Sequence, residues 1–280
     1  MSIPVRAPRL LFIDSGLGGL TVLRAACAAV PEAHVRFIAD DAGFPYGSKS
    51  DAELIARLLA LMEPAVREFE PDCIVLACNT ASTVALQALR ASFPAPIVGT
   101  VPAVKPAAAL TRSGLVSVLA TPATVARVYT RALIEQFGAG ARFTLAAAPS
   151  LAALAEARAA GENVDAEAIA REIAPAFAEA DGARTDVVVL GCTHYPLLLD
   201  KLEELAPWPV LWLDPAPAIA RRIANVLAGA GHIVGVGARR GAGEIVFTSG
   251  RRPSHALLKL LESHHLTLPA AAPAFSRDPA

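Results

Sequence analysis

The 280-residue chain reads as an α/β protein of two pseudo-symmetric lobes, each a mostly parallel sheet flanked by helices. Three observations predict this. Short apolar runs alternate with amphipathic stretches along nearly the whole length, the pattern of strand–helix–strand units. A nine-residue phrase occurs twice, 114 residues apart: Asp72-Cys73-Ile74-Val75-Leu76-Ala77-Cys78-Asn79-Thr80 and Asp186-Val187-Val188-Val189-Leu190-Gly191-Cys192-Thr193-His194. The apolar run in each copy lacks polar alternation, so it reads as a strand buried on both faces. In open α/β sheets the ligand sits beyond the carboxyl ends of the strands. Cys78 and Cys192 therefore stand where chemistry is done, as two equivalent half-sites, with the active site expected in the cleft between the lobes.

Composition narrows the class. The apolar fraction is 54%, much of it alanine. No apolar run reaches the roughly 18 residues of a membrane span. Arg6 and Arg9 are followed only by Leu10 to Ile13 before Asp14, too short a run for a signal peptide. A net charge of −1 carries no electrostatic footprint for nucleic acid or an anionic membrane. The cysteines Cys27, Cys73, Cys78 and Cys192 form no Cys-x-x-Cys pair and no zinc spacing. Cys73 and Cys78, at opposite ends of one strand, would lie about 16 Å apart, too far to bridge. A reduced, cytoplasmic protein without a bound metal is expected.

Residues 9–13 form the first strand, which ends in Asp14-Ser15-Gly16-Leu17-Gly18-Gly19 before a helix near Leu20. The glycines allow tight backbone geometry, and the helix start favours an anion. Neither Gly-Lys-Ser/Thr nor GxGxxG is present, so a carboxylate ligand is a better reading than a nucleotide, with a plain turn as the alternative. Val35 to Ala39 is a strand running into Asp40-Asp41-Ala42-Gly43-Phe44-Pro45-Tyr46-Gly47, a turn-rich loop whose Tyr46 reads as exposed. Ser50-x-x-Glu53 is a capping box. It opens a helix with Ile55, Leu58, Met62, Val66 and Phe69 at core spacing, which Pro64 is expected to kink or interrupt. The first cysteine strand precedes a helix over 82–93, a strand over 97–100, and a proline-bearing loop, 101–106, read as a crossing between lobes.

A strand over 115–120 ends in Thr121-Pro122-Ala123-Thr124, before a helix over 125–137. A strand over 143–147 precedes Pro149 and an alanine-rich, helix-like segment holding Leu151, Leu154 and Glu156. Residues 163–180 read as helical, with Ile169, Ile173 and Phe177 on one face. After the second cysteine strand come a helix from Pro196 to Leu205, a strand over 210–213, and a helix over 216–228 stopped by Gly229. A strand over 244–248 and a helix over 255–261 follow. The expected lobes are 1–99 with 214–267, and 100–213. Residues 268–280, rich in Pro and Ala, are expected to fray as a disordered tail.

A cysteine in an apolar run is most often a small buried hydrophobe, the reading for Cys27 and Cys73. Cys78 and Cys192 differ: each closes a strand, each precedes polar side chains, and each has the other as counterpart. Ionising a thiol of pKa near 8.5 at pH 7 costs about 2 kcal/mol. Helix N-termini after each cysteine would favour the thiolate, and His194 can take a proton from Cys192. Asp14 would raise a neighbouring thiol pKa, so it reads as a proton acceptor or orienting group. One cysteine with a histidine suggests nucleophilic catalysis. Two opposed cysteines suggest that one thiolate removes a proton from a carbon while the other thiol protonates the opposite face. Each sulfur would then stand about 3–3.5 Å from the carbon.

Asp14-Ser15-Gly16 with Gly18-Gly19, Pro45-Tyr46-Gly47, Ala77-Cys78-Asn79-Thr80-Ala81-Ser82 and Leu190-Gly191-Cys192-Thr193-His194-Tyr195-Pro196 together resemble glutamate racemase, of the aspartate/glutamate racemase superfamily. The resemblance covers almost the whole chain. It implies cofactor-independent interconversion of L- and D-glutamate, supplying D-glutamate for peptidoglycan. By similarity, Cys78 deprotonates D-glutamate and Cys192 deprotonates L-glutamate, assisted by Asp14 and His194 respectively. Asp14, Ser15, Tyr46, Gly47, Asn79, Thr80, Thr124, Thr193 and His194 resemble the residues that hold the substrate, with Thr121 close to them. Glu156 matches more loosely a glutamate on the Cys192 side, because Ala148-Pro149-Ser150-Leu151 departs from the commoner form with a cysteine before the proline. Its plain alternative is a solvated helix carboxylate. The implied partner is glutamate, with no nucleic acid and no membrane, while a homodimer and a cell-wall precursor activator stay open.

Three other readings remain. A racemase of aspartate or a related acid shares the cysteine motifs, although the Pro45-Tyr46-Gly47 loop favours glutamate. A Cys-His thiol hydrolase using Cys192 and His194 would survive Cys78→Ala. A non-catalytic amino-acid-binding protein leaves both cysteines unexplained.

Overall fold

A computed structural model describes residues 6–235 and 241–270. The expected tail at 268–280 therefore falls outside the described residues from 271 onward. The strands are β1 Arg9–Asp14, β2 His34–Ala39, β3 Cys73–Leu76, β4 Ile97–Gly99, β5 Leu115–Ala120, β6 Arg142–Ala147, β7 Glu179–Ala180, β8 Ala183–Arg184, β9 Val187–Leu190, β10 Leu211–Leu213, β11 Gly243–Phe247 and β12 Leu266–Thr267. The helices are α1 Leu20–Ala29, α2 Asp51–Phe69, α3 Asn79–Ser92, α4 Val104–Leu110, α5 Pro122–Ala126, α6 Val128–Phe137, α7 Leu151–Ala159, α8 Ala166–Ile173, α9 Leu199–Leu205, α10 Ala216–Gly229 and α11 His255–Ser263. None is long and apolar enough to cross a membrane.

The chain divides into two compact units, one drawn from Met1–Thr100 with Ala216–Ala280 and the other from Val101–Pro215. The first holds a six-stranded sheet in the order β12-β11-β2-β1-β3-β4, with every neighbour parallel. The second holds a four-stranded parallel sheet in the order β10-β9-β5-β6. Read from the other edge, that is the order β2-β1-β3-β4 repeated, so the doubled phrase reflects a doubled topology. Each cysteine strand lies between two parallel neighbours, and all four residues of β3 and of β9 are buried. That is why these runs lack polar alternation.

In the first unit Leu11, Ile13, Ile74 and Leu76 form one core with Leu54, Leu58 and Met62 of α2 and Ala81, Ala85 and Leu89 of α3. In the second, Val116, Val118, Val187 and Val189 pack with Ala103 and Ala107.

Several elements differ from expectation. α2 runs unbroken through Pro64, opened by the expected Ser50/Glu53 capping box. The proline removes one ladder bond, but the buried stripe of Leu61, Met62 and Ala65 around it keeps the helix on the core. Residues 163–180 are not one helix. α8 gives way to a 3-10 turn containing Pro175, and Asp181-Gly182, both at positive φ, form the turn of the β7–β8 hairpin. The helix expected over 125–137 breaks at Arg127 into α5 and α6. Within the proposed crossing loop, α4 begins at Val104. Cys27 is only half-buried.

Candidate active site

The topology places the site. In the first unit the chain goes from β1 to β2 on one side and then to β3 on the other, so the switch point lies between β1 and β3. Ile13 pairs with Leu76, and carrying the register two residues further sets Ser15 beside Cys78. Ser15 Oγ and Cys78 Sγ lie 3.9 Å apart. The second unit repeats the arrangement between β5 and β9. Leu119 pairs with Leu190, which sets Thr121 beside Cys192.

Around Cys78 the loop after β1 is drawn in tightly. A Cβ on Gly19 would lie 2.7 Å from Ala77 Cβ, so the close approach requires glycine. The buried Asp14 carboxylate accepts from the Gly16 and Gly19 amides at 3.1 and 3.2 Å. It thereby holds its own loop in shape. Cys78 is the N-cap of α3, and no side chain caps that helix. The positive end of the dipole of a 14-residue helix favours a thiolate there. Asn79 and Thr80 occupy the first turn and are buried. No α-helix follows Cys192 in the same way. A 3-10 turn, Tyr195–Leu198, intervenes, so the expectation of matching helix N-termini is corrected.

Tyr46 is also corrected. It is 2% exposed and shares the core with Cys78. Its hydroxyl donates to Asp40 at 2.8 Å. Burial first, and then the Asp40 charge, hold the phenol pKa well above its usual value, so it stays a neutral donor. Tyr46 and Gly47 begin a 3-10 turn after the cis Phe44–Pro45 peptide, and the first amides of such a turn point outward from its ladder. Asp40 itself went unread in the sequence. It is fully buried and takes both Arg57 donors at 2.6 Å and the Thr248 hydroxyl at 2.6 Å.

Around Cys192 the polar groups form a line. Cys192 Sγ lies 3.7 Å from His194 Nδ1. His194 Nε2 lies 2.8 Å from Glu156 Oε1. The His194 side chain is 2% exposed and that of Glu156 15%, so Glu156 is not a solvated helix carboxylate. An Nε2–H bonded to the carboxylate leaves Nδ1 facing the sulfur as a proton acceptor. The small Gly191 lets β9 close on β5, since a Cβ there would lie 2.8 Å from Ala120 Cβ. Thr121 caps α5 by accepting from the Thr124 amide, and the two hydroxyls lie 3.1 Å apart. Thr124 and Thr193 are buried. Tyr195 is also buried, its hydroxyl donating to the Ala148 carbonyl.

The acids that head the two phrases do other work. Asp72 accepts from the Arg9 amide and both arms of the Arg6 guanidinium. Asp186 accepts from the Thr111 hydroxyl and the Arg112 and Ser113 amides. Burial opposes ionisation of each carboxyl, but these donors outweigh it and hold both below the ordinary carboxylate range. They clamp the amino ends of β3 and β9, away from the thiols. None of the four cysteines forms a disulfide. Among the described residues no cluster of three or more His, Cys, Asp or Glu could hold a metal ion.

Comparison with known proteins adds a lineage to this geometry. The family described as Asp/Glu/Hydantoin racemase matches residues 15–223. The chain is 48% identical to the glutamate racemase of Brucella canis over 266 residues, covering 94% of this chain and 95% of that one. It is also 48% identical to that of Sinorhizobium fredii, covering 94% and 97%. Among solved structures, Escherichia coli glutamate racemase, in complex with L-glutamate and the activator UDP-MurNAc-ala, matches with a TM-score of 0.82 at 36% identity, over 93% of this chain and 97% of that one.

Proposed function

Because the chain belongs to the Asp/Glu/Hydantoin racemase family, we propose that it interconverts L- and D-glutamate without a cofactor, with Cys78 and Cys192 as paired acid and base. The observation that carries this is the doubling. At the same switch point of two like-ordered sheets stands a buried thiol outside any disulfide, each with its own polar helpers. In one direction the Cys78 thiolate takes the α-proton of D-glutamate while the Cys192 thiol delivers a proton to the opposite face. In the other, the roles exchange. His194, held by Glu156, receives the Cys192 proton through Nδ1 before attack on L-glutamate. Asp14 serves the Cys78 side. Ser15, Asn79, Thr80, Thr121, Thr124 and Thr193, with the first amides at Tyr46 and Gly47, hold the amine and carboxylates.

The test is incubation with L-glutamate in deuterated water. Optical rotation should fall to zero as deuterium enters the α-carbon. Persistent rotation with folded protein would sink the reading, and L-aspartate in a parallel tube identifies the related racemase. Cys78→Ser and Cys192→Ser should each abolish full inversion. The Cys192–His194–Glu156 line also fits a thiol hydrolase, with nucleophile, base and orienting acid in order. Hydrolysis of a glutamyl amide that survives Cys78→Ser would favour that reading.

The same proposal places the enzyme in the cytoplasm, where its thiols stay reduced, and in the supply of D-glutamate for peptidoglycan. It extends to a homodimer and to activation by a cell-wall precursor. Sedimentation and rates with and without UDP-MurNAc-ala test these two points.

A further inference from the structure

Asp40 is saturated. A carboxylate offers about four lone-pair positions. Here they face Arg57 Nε, Arg57 Nη2, the Tyr46 hydroxyl and the Thr248 hydroxyl, at 2.6, 2.6, 2.8 and 2.6 Å. The group is 0% exposed. The neighbouring backbone closes over it, since a Cβ on Gly43 would lie 2.5 Å from Asp40 Oδ2 and 2.4 Å from Arg57 Nε. Asp40 is thus a strut rather than a base.

The strut joins distant parts of the chain. Arg57 comes from α2, Tyr46 from the loop after β2, and Thr248 from the end of β11, 208 residues from Asp40. The Thr248 oxygen also accepts from the Ala42 amide at 3.1 Å. Tyr46, at the far end, packs in the same core as Cys78. The β11 end is therefore tied to Ala42 directly and to Tyr46 through Asp40.

We propose that Arg57 and Thr248 are positioning residues for the Cys78 half-site, acting through Asp40 and Tyr46 on the turn that begins at Tyr46 and on the thiol beside it. The kinetic part rests on the racemase reading above. The structural part does not. Without the Thr248 hydroxyl, one lone pair of a buried charge goes unmet and the Ala42 amide loses its acceptor. A hydrogen bond to a buried charged group is worth roughly a 10- to 100-fold effect when removed.

Thr248→Val keeps the shape and deletes the hydroxyl, and Thr248→Ser restores it. In the first assay, iodoacetamide alkylation of each thiol is followed by peptide mass spectrometry. Thr248→Val should change the Cys78 rate by about fivefold or more, leave Cys192 within about twofold, and return to wild type in Thr248→Ser. This readout stands even if glutamate is not the substrate. An unchanged Cys78 rate, or equal changes at both thiols, overturns the proposal. In the second assay, kcat/KM for glutamate should fall about 10-fold. The primary isotope effect should rise with α-deuterated D-glutamate and fall with α-deuterated L-glutamate. Equal shifts for the two enantiomers overturn it. Arg57→Lys, which keeps the charge but not the fork, should repeat the Cys78-selective pattern if Thr248→Val fails to fold. A wild-type protein that does not racemise glutamate defeats the functional reading, while the alkylation result still decides this one.

Discussion

Glu156→Gln isolates one charge on the Cys192 side. The glutamine keeps the size and an oxygen acceptor for His194 Nε2, now 2.8 Å from Oε1, and removes only the negative charge. In the proposed cycle the imidazole becomes imidazolium as it takes the Cys192 proton. Unit charges about 4 Å apart in a partly buried setting attract by about 4 kcal/mol before desolvation is counted. Net of water, a bond to a charged group is worth about 1.5–3 kcal/mol and a neutral one about 0.5–1.5 kcal/mol. The difference, about 1–2 kcal/mol, predicts a 5- to 30-fold fall in kcat/KM. The two enantiomers are equal in free energy, so kcat/KM must fall by the same factor in both directions, and the side is read from isotope effects. Loss at Cys192 makes its proton transfer more rate-limiting. The isotope effect with α-deuterated L-glutamate should rise, and that with D-glutamate should fall. The assay is circular dichroism of racemisation from each deuterated enantiomer. Activity within twofold of wild type, or isotope effects that rise together, would refute the His194–Glu156 role.

Two further predictions concern the strands that carry the thiols. Gly191→Ala inserts a Cβ 2.8 Å from Ala120 Cβ and 3.0 Å from the Leu119 carbonyl. It should cost about 1–3 kcal/mol by overpacking and displace Cys192. Chemical denaturation and alkylation of Cys192 check this, and unchanged values in both would be contrary. Burial pushes the Cys73 thiol up to about 12 from near 9 in the unfolded chain. Its contribution is whole below pH 9. It is lost as pH rises from 9 to 12, because the unfolded chain ionises while the folded one does not. The loss approaches about 1.4 kcal/mol per pH unit. Denaturant titrations between pH 7 and 10.5 should show a shallower alkaline decline in Cys73→Ala than in wild type, and equal slopes would contradict the burial argument.

The cysteine strands were legible because burial on both faces writes itself into consecutive residues, as in Ile74-Val75-Leu76 and Val187-Val188-Val189-Leu190. The capping box at Ser50 and Glu53 was legible because both partners lie within one turn. Asp181-Gly182 carried a readable turn signal that the apolar spacing of Ile169, Ile173 and Phe177 overrode. Side-chain networks were the blind spot of the residue pattern itself. Glu156 meets His194 across 38 residues, a pairing to which only the family resemblance pointed, and Thr248 meets Asp40 across 208, which nothing in the sequence marked. Such pairings have no period, so only the fold brings them together. Tyr46 misled for a related reason. Its loop has turn chemistry, but its hydroxyl finds the buried Asp40, which allows the whole ring inside.

The clamped acids at the heads of the two phrases turn each strand into a gauge. Asp72 is six positions from Cys78, and Asp186 six positions from Cys192. At about 3.3 Å per residue, each thiol stands roughly 20 Å from its anchor. The anchor cannot slide, because its carboxylate is fastened to the backbone amide of Arg9 or those of Arg112 and Ser113. Side chains alternate along a strand, so one inserted residue would turn the sulfur to the opposite face. Composition within the gauge can drift, as Cys73-Ile74 against Val187-Val188 shows, but its length cannot.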